Sequence, residues 1–92
     1  MKFYNWDEKK NVLLKEERKI CFEDIIYYLE NDMLLDSYEN PNQGKYPGQG
    51  LYVIEIKGYA CLVPFIESDD SIFLKTIIPS RKATKKYLPK EE

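Results

Sequence analysis

The chain has no histidine. Histidine is the one side chain whose ordinary pKa lies near neutrality, so its absence hands any proton transfer to Lys, Tyr, Asp, Glu or Cys, or to electrostatics alone. Ser-His-Asp and Cys-His nucleophilic systems are excluded outright. Cysteine is scarce too: Cys21 and Cys61 stand alone and far apart. Without histidine they are too few for a zinc site of the usual kind, and no metal or cofactor is expected. Both are read as small buried hydrophobes, kept reduced inside a cell. Long apolar runs are missing as well. None approaches the ~20 residues of a membrane span, and the opening MKFYNWDEKK lacks the apolar core of a signal peptide. A cytoplasmic protein without membrane contact is expected.

What is present describes one small domain spanning 1–92. Eight Tyr and four Phe are too many aromatics for a disordered chain. The net charge is only −2, but its distribution is uneven. Residues 1–70 carry eight Lys/Arg against fourteen Asp/Glu, whereas 71–90 carry six Lys/Arg (Lys75, Arg81, Lys82, Lys85, Lys86, Lys90) and no acid. Such asymmetry points to a basic site on an acidic body.

Phe3 and Tyr4 suit a short edge strand. Asp7, a good N-cap, precedes a run of helix formers, which predicts a helix over 7–18 with a thin apolar stripe. Phe22, Ile25, Ile26, Leu29 and Met33 recur at helical spacing and predict a second helix. There Cys21 takes the cap position and Asp24 the capping-box position. A strand over 34–38 follows. The segment 39–50, dense in Asn, Pro and Gly, is a loop of the length usually reserved for function or mobility. Strands over 51–56 and 59–65 meet across Lys57-Gly58, a tight hairpin turn. Pro64 marks an edge or bulge. A strand over 72–78 should point Ile72, Leu74, Thr76 and Ile78 one way, and Phe73, Lys75 and Ile77 the other. Ser80 then caps a short helix with Ala83 and Tyr87 inward and four cations outward. The fold expected is α+β: two N-terminal helices, a four-stranded antiparallel sheet and a short C-terminal helix.

Three stretches carry a resemblance: Phe3-Tyr4-Asn5-Trp6-Asp7-Glu8-Lys9, Ile20-Cys21-Phe22-Glu23-Asp24-Ile25, and Lys75 through Thr84. They are similar in order and spacing to the aromatic-x-Trp-Asp-x-x-Lys, Ile-Ser-Phe-Glu-Glu and Arg-x-Ile-Ser-Ala-Arg-Lys-Ala segments of BrnT-like toxins, a branch of the RelE/ParE superfamily. The resemblance implies a RelE-like fold and an RNA-cleaving toxin of a type II toxin–antitoxin system, neutralised by a cognate antitoxin. Lys75 stands where many relatives have Arg, and Lys cannot copy the planar fork that Arg offers to phosphate.

Metal-independent cleavage through the ribose 2′-OH needs a group to take or share the hydroxyl proton, cations to hold the charge developing on phosphorus, and a proton for the leaving oxygen. Arg81 is the leading candidate for the phosphate, with the N-terminal N–H groups of the last helix beside it. Lys75 follows, as phosphate contact or proton shuttle. Lys82 and Lys85 would hold flanking backbone. Lys45 and Tyr46 in the long loop, and Tyr52 next to it, would contact or stack on bases. Each has a plainer reading. Cations on a short helix are also what a solvated face looks like, Arg81 could pair with a carboxylate, and most aromatics in so small a chain must pack. Glu67, Asp69 and Asp70 read as a solvated turn. The antitoxin is expected to cover Arg81, Lys82 and the 39–50 loop, because masking the site is the simplest way to inactivate it. The alternative function is a non-catalytic interaction module, or an inactive toxin relative, that binds a cognate antitoxin. Open strand edges would also permit a homo-oligomer.

Overall fold

The computed structural model describes residues 2–89; Lys90, counted above in the basic segment, lies outside the described residues. Six strands and three helices run in the order β1 (Phe3–Trp6), α1 (Glu8–Arg18), α2 (Phe22–Glu30), β2 (Leu34–Glu39), β3 (Gln49–Ile56), β4 (Tyr59–Glu67), β5 (Ser71–Leu74), β6 (Ile78–Pro79) and α3 (Arg81–Tyr87).

Asp7 starts α1 as expected, its extended backbone letting the carboxylate accept from the Lys9 N–H at 2.9 Å. The helix ends at Lys19, in the left-handed conformation. Its inward stripe is Asn11 and Leu14, while Val12 and Leu13 face outward. Asn11 is the hinge pin between the two helices. Its Oδ1 accepts from the Phe22 N–H at 2.7 Å, and its Nδ2 donates to Glu23 at 2.8 Å. An otherwise orphaned donor at the start of α2 is satisfied in this way. Asp24 reaches back to the Cys21 N–H at 3.3 Å. Phe22 and Ile25 are buried, but α2 stops at Glu30, so Met33 lies beyond it and is exposed.

The sheet order is β1-β5-β4-β3-β2, with β6 also beside β4. β1 runs parallel to β5, from Phe3 opposite Ser71 to Trp6 opposite Leu74, and every other pair is antiparallel. The sheet is therefore six-stranded and mixed. This overturns the RelE-like, four-stranded antiparallel arrangement expected from the sequence; the α+β class stands. Two features account for the difference. The N-terminal residues extend the sheet beyond β5, a long-range pairing that no local pattern announces. The strand expected over 72–78 also breaks in two. Phe65 pairs with Leu74, yet Leu62 pairs with Ile78, so the β5–β6 side carries one extra residue. The break sits at Pro64, whose oxygen accepts from the Lys75 N–H at 2.8 Å but which has no N–H to return. The extra residue reverses the alternation: Ile77 is buried and Ile78 exposed, opposite to the pattern expected.

The sheet has one well-covered face. There Ile54, Ile56, Cys61, Val63, Phe65, Ile72, Leu74 and Ile77 pack with Leu14, Phe22 and Ile25 of the helices to form the main core. On the other face Ala83 of α3 packs on Val53 and Ala60 at one end, and Gln49 and Leu51 are buried toward the loop end. Opposite α3, the long loop is shorter than expected, 40–48, because Glu39 ends β2 and Gln49 and Gly50 begin β3. It is also tied. The Gln43 amide donates to the Asn40 and Gln49 carbonyls at 2.7 and 3.0 Å and accepts from the Gly48 N–H at 2.9 Å. The β3–β4 turn is the expected two-residue hairpin, with φ +53° at Lys57 and +79° at Gly58.

Candidate nucleic-acid interface

Beside the 40–48 loop, this second sheet face carries a groove of about 460 Å³. Leu51, Leu62 and Pro64 make its floor, and Lys10, Lys75 and Tyr46 stand on its rim. Asn40 and Gln49 close one end, with the Asn40 amide donating to the Gln49 side chain at 2.9 Å. Among the described residues no carboxylate lines this groove, although acids outnumber cations sixteen to fourteen in the chain. Lys75 emerges here because it follows Leu74, which points to the covered face, and its ammonium lies 5.6 Å from the centre of the Phe73 ring. Lys45 stands over the Tyr46 ring at 5.4 Å, so both loop candidates belong to this side.

The remaining candidates lie elsewhere. Tyr52 points to the opposite, covered face, where its ring stacks on Phe65 at 3.9 Å and 13°. Burial pushes its phenol up to about 12, with Tyr4 and Glu67 adding smaller effects. It is a packing residue and cannot stack a base in the Lys75 groove.

The four cations of α3 split into two pairs, one on each flank. Lys82 and Lys86 border a groove of about 390 Å³ with Asp36, Tyr38 and Leu62, the last of which also lines the Lys75 groove. Arg81 and Lys85 line a different groove, of about 610 Å³, with Gly58, Tyr59, Leu88 and Pro89. Arg81 and Lys75 are thus not brought together. Ser80 bonds to Ala60 of β4 and Lys75 to Pro64, four residues apart, or ~13 Å along a strand.

The N–H groups expected to help Arg81 bind an anion are also partly committed, because the Ser80 hydroxyl accepts from the Ala83 N–H at 3.0 Å. Arg81 has no ion-pair partner among the described residues; the pair found there is Lys2–Glu67. Asp36 is engaged by the Tyr87 hydroxyl. That bond, with help from the Ser37 N–H, holds the carboxyl below its usual range, and it pushes the phenol up to about 12.

Lys10 and Tyr59 were missed by sequence reading. Lys10 looks like one more solvated lysine in a charged helix, and only the crossing of α1 beside Thr76 and Ile78 brings it to the groove. Among the described residues no group of three or more Cys, Asp or Glu is placed to hold a metal ion. No described helix is long and apolar enough to cross a membrane. Comparison with protein-family models, curated proteins and solved structures finds no match to this chain.

Proposed function

We propose that the chain is a BrnT-like toxin of a type II toxin–antitoxin pair, a cytoplasmic endoribonuclease that arrests growth by cleaving RNA in the Lys75 groove. One observation supports this above the others: two lysines and a tyrosine share a groove that no carboxylate among the described residues lines, in an acidic chain. Such a lining suits the phosphate itself rather than a divalent ion. Water takes the proton of the attacking 2′-OH, Lys10 and Lys75 stabilise the charge developing on phosphorus, and Tyr46 gives its hydroxyl proton to the leaving oxygen and recovers one from solvent. Leu51, Leu62 and Pro64 give the bases an apolar floor.

Induced expression in a bacterial host, with total RNA run on a gel, tests the reading. Wild type is expected to stop growth and deplete RNA. A folded Lys75→Ala variant should lose activity by roughly 10²-fold or more, the cost of removing one transition-state donor, and Lys9→Ala should retain it. Unimpeded growth with folded wild type would sink the catalytic reading.

A second reading would then lead, in which the chain is a non-catalytic module for an antitoxin. It draws on exposed Ile66, Phe73 and Ile78, three apolar side chains that a protein partner would cover.

A further inference from the structure

We propose that the groove between the β3–β4 turn and α3 binds a nucleoside monophosphate, with its phosphate on Arg81 and Lys85 and its base against Tyr59 and Leu88. Arg81 and Lys85 stand one turn apart on the same flank of α3, close enough to share one phosphate. The guanidinium grips two oxygens in a planar fork, and the ammonium adds a point charge. No carboxylate among the described residues lines the groove to compete for either cation.

The rest of the lining is apolar and aromatic. It comes from Tyr59, 38% exposed at the start of β4, and from Leu88 and Pro89, which continue α3 beyond Lys85. Both elements are fixed in place. The Thr84 hydroxyl accepts from the Ala60 N–H at 2.9 Å and donates to the Ser80 carbonyl at 2.7 Å, which clamps α3 to β4. The volume of about 610 Å³ lies within the ~300–1,000 Å³ of small-molecule sites.

Two adjacent cations beside an apolar, partly aromatic lining match a compact ligand with an anionic head and an aromatic body. An extended acidic peptide would require cations along its length. The proposal stands apart from the cleavage reading, since this groove lies on the far flank of α3 from Lys75 and binding is measured without turnover.

The phosphate could belong to a free nucleotide or to the 5′ end of a strand, and titration of isotope-labelled protein by NMR separates the two. AMP should shift the amides of Gly58, Tyr59, Thr84 and Leu88 saturably. Adenosine and inorganic phosphate alone should not reach saturation. Arg81→Ala should weaken AMP by roughly tenfold or more, as expected for loss of a charge-assisted hydrogen bond, with Lys85→Ala weakening it less. A well-dispersed spectrum of each variant certifies its fold. Tighter binding of 5′-phosphorylated diuridine than of AMP or the 5′-hydroxyl dinucleotide would assign a strand end, and preference for AMP a free nucleotide. The proposal is overturned by any of four results: no saturable shift with AMP, equal binding of inorganic phosphate, unchanged affinity in folded Arg81→Ala, or shifts with a glutamate-rich peptide alone.

Discussion

Gly50 illustrates how much one residue's size can matter in this sheet. It sits opposite Phe65, and a Cβ added there would lie 2.5 Å from the ring's Cζ. The ring has little room to retreat, because Tyr52 stacks on it at 3.9 Å. Gly50→Ala should therefore cost about 1–3 kcal/mol, the usual penalty for overpacking. A lower urea midpoint with an unchanged slope is the expected signature, and a stability equal to wild type would mean the stack yields freely. Asn11 makes the complementary point. It is a polar side chain buried because the start of α2 needs its oxygen for the Phe22 N–H and its nitrogen for the Glu23 carboxylate at once.

At the scale of the element, α3 is held to the sheet by few anchors, and one of them is titratable. The Tyr87–Asp36 bond needs an ionised carboxylate and a protonated phenol. The carboxyl is held below its usual range, so its contribution is complete above the ordinary carboxylate pKa and fades as pH falls through the lowered value. The phenol is pushed up to about 12, so the contribution is complete below the ordinary tyrosine pKa and is lost as pH rises toward about 12. Tyr87→Phe should lower the melting temperature near neutrality, and the gap from wild type should close toward both acid and alkali. A gap independent of pH would show that the ring, not the hydroxyl, anchors the helix.

Over the whole molecule, α1 and α2 cover one sheet face, while α3 and the 40–48 loop border the other. The radius of gyration, 13.2 Å, is slightly above the ~12 Å expected for a compact chain of this length. Charge is partitioned along with cover. Glu39 and Glu67 line the opening beside the loop end of β2, while Lys10 and Lys75 border the groove on the second face. If single-stranded RNA lies in the Lys75 groove across these two lysines, the logarithm of its affinity should fall with the logarithm of salt at a slope of about −1.4, two contacts at ~0.7 each. A slope near zero would remove the phosphate contacts from the proposed mode of binding.

Composition was enough to exclude histidine chemistry and to identify a basic C-terminal segment. Local patterns were enough to place α1 from its Asp7 cap, the Lys57-Gly58 turn and the Ser80-capped last helix, because caps and tight turns depend on neighbouring residues alone. The parallel pairing of β1 with β5 was beyond their reach, since 68 positions separate Phe3 from Ser71. The extra residue opposite Pro64 was half legible: proline announced a break, but only the register on both sides revealed that Ile77 rather than Ile78 turns inward. The candidate site divided along the same line. Lys75 and Tyr46 came together on one face, while Tyr52 went to the other and Arg81 to the far flank of α3. Which face a strand residue takes and which flank a helix presents are set by long-range packing, and so only the tertiary structure decided them.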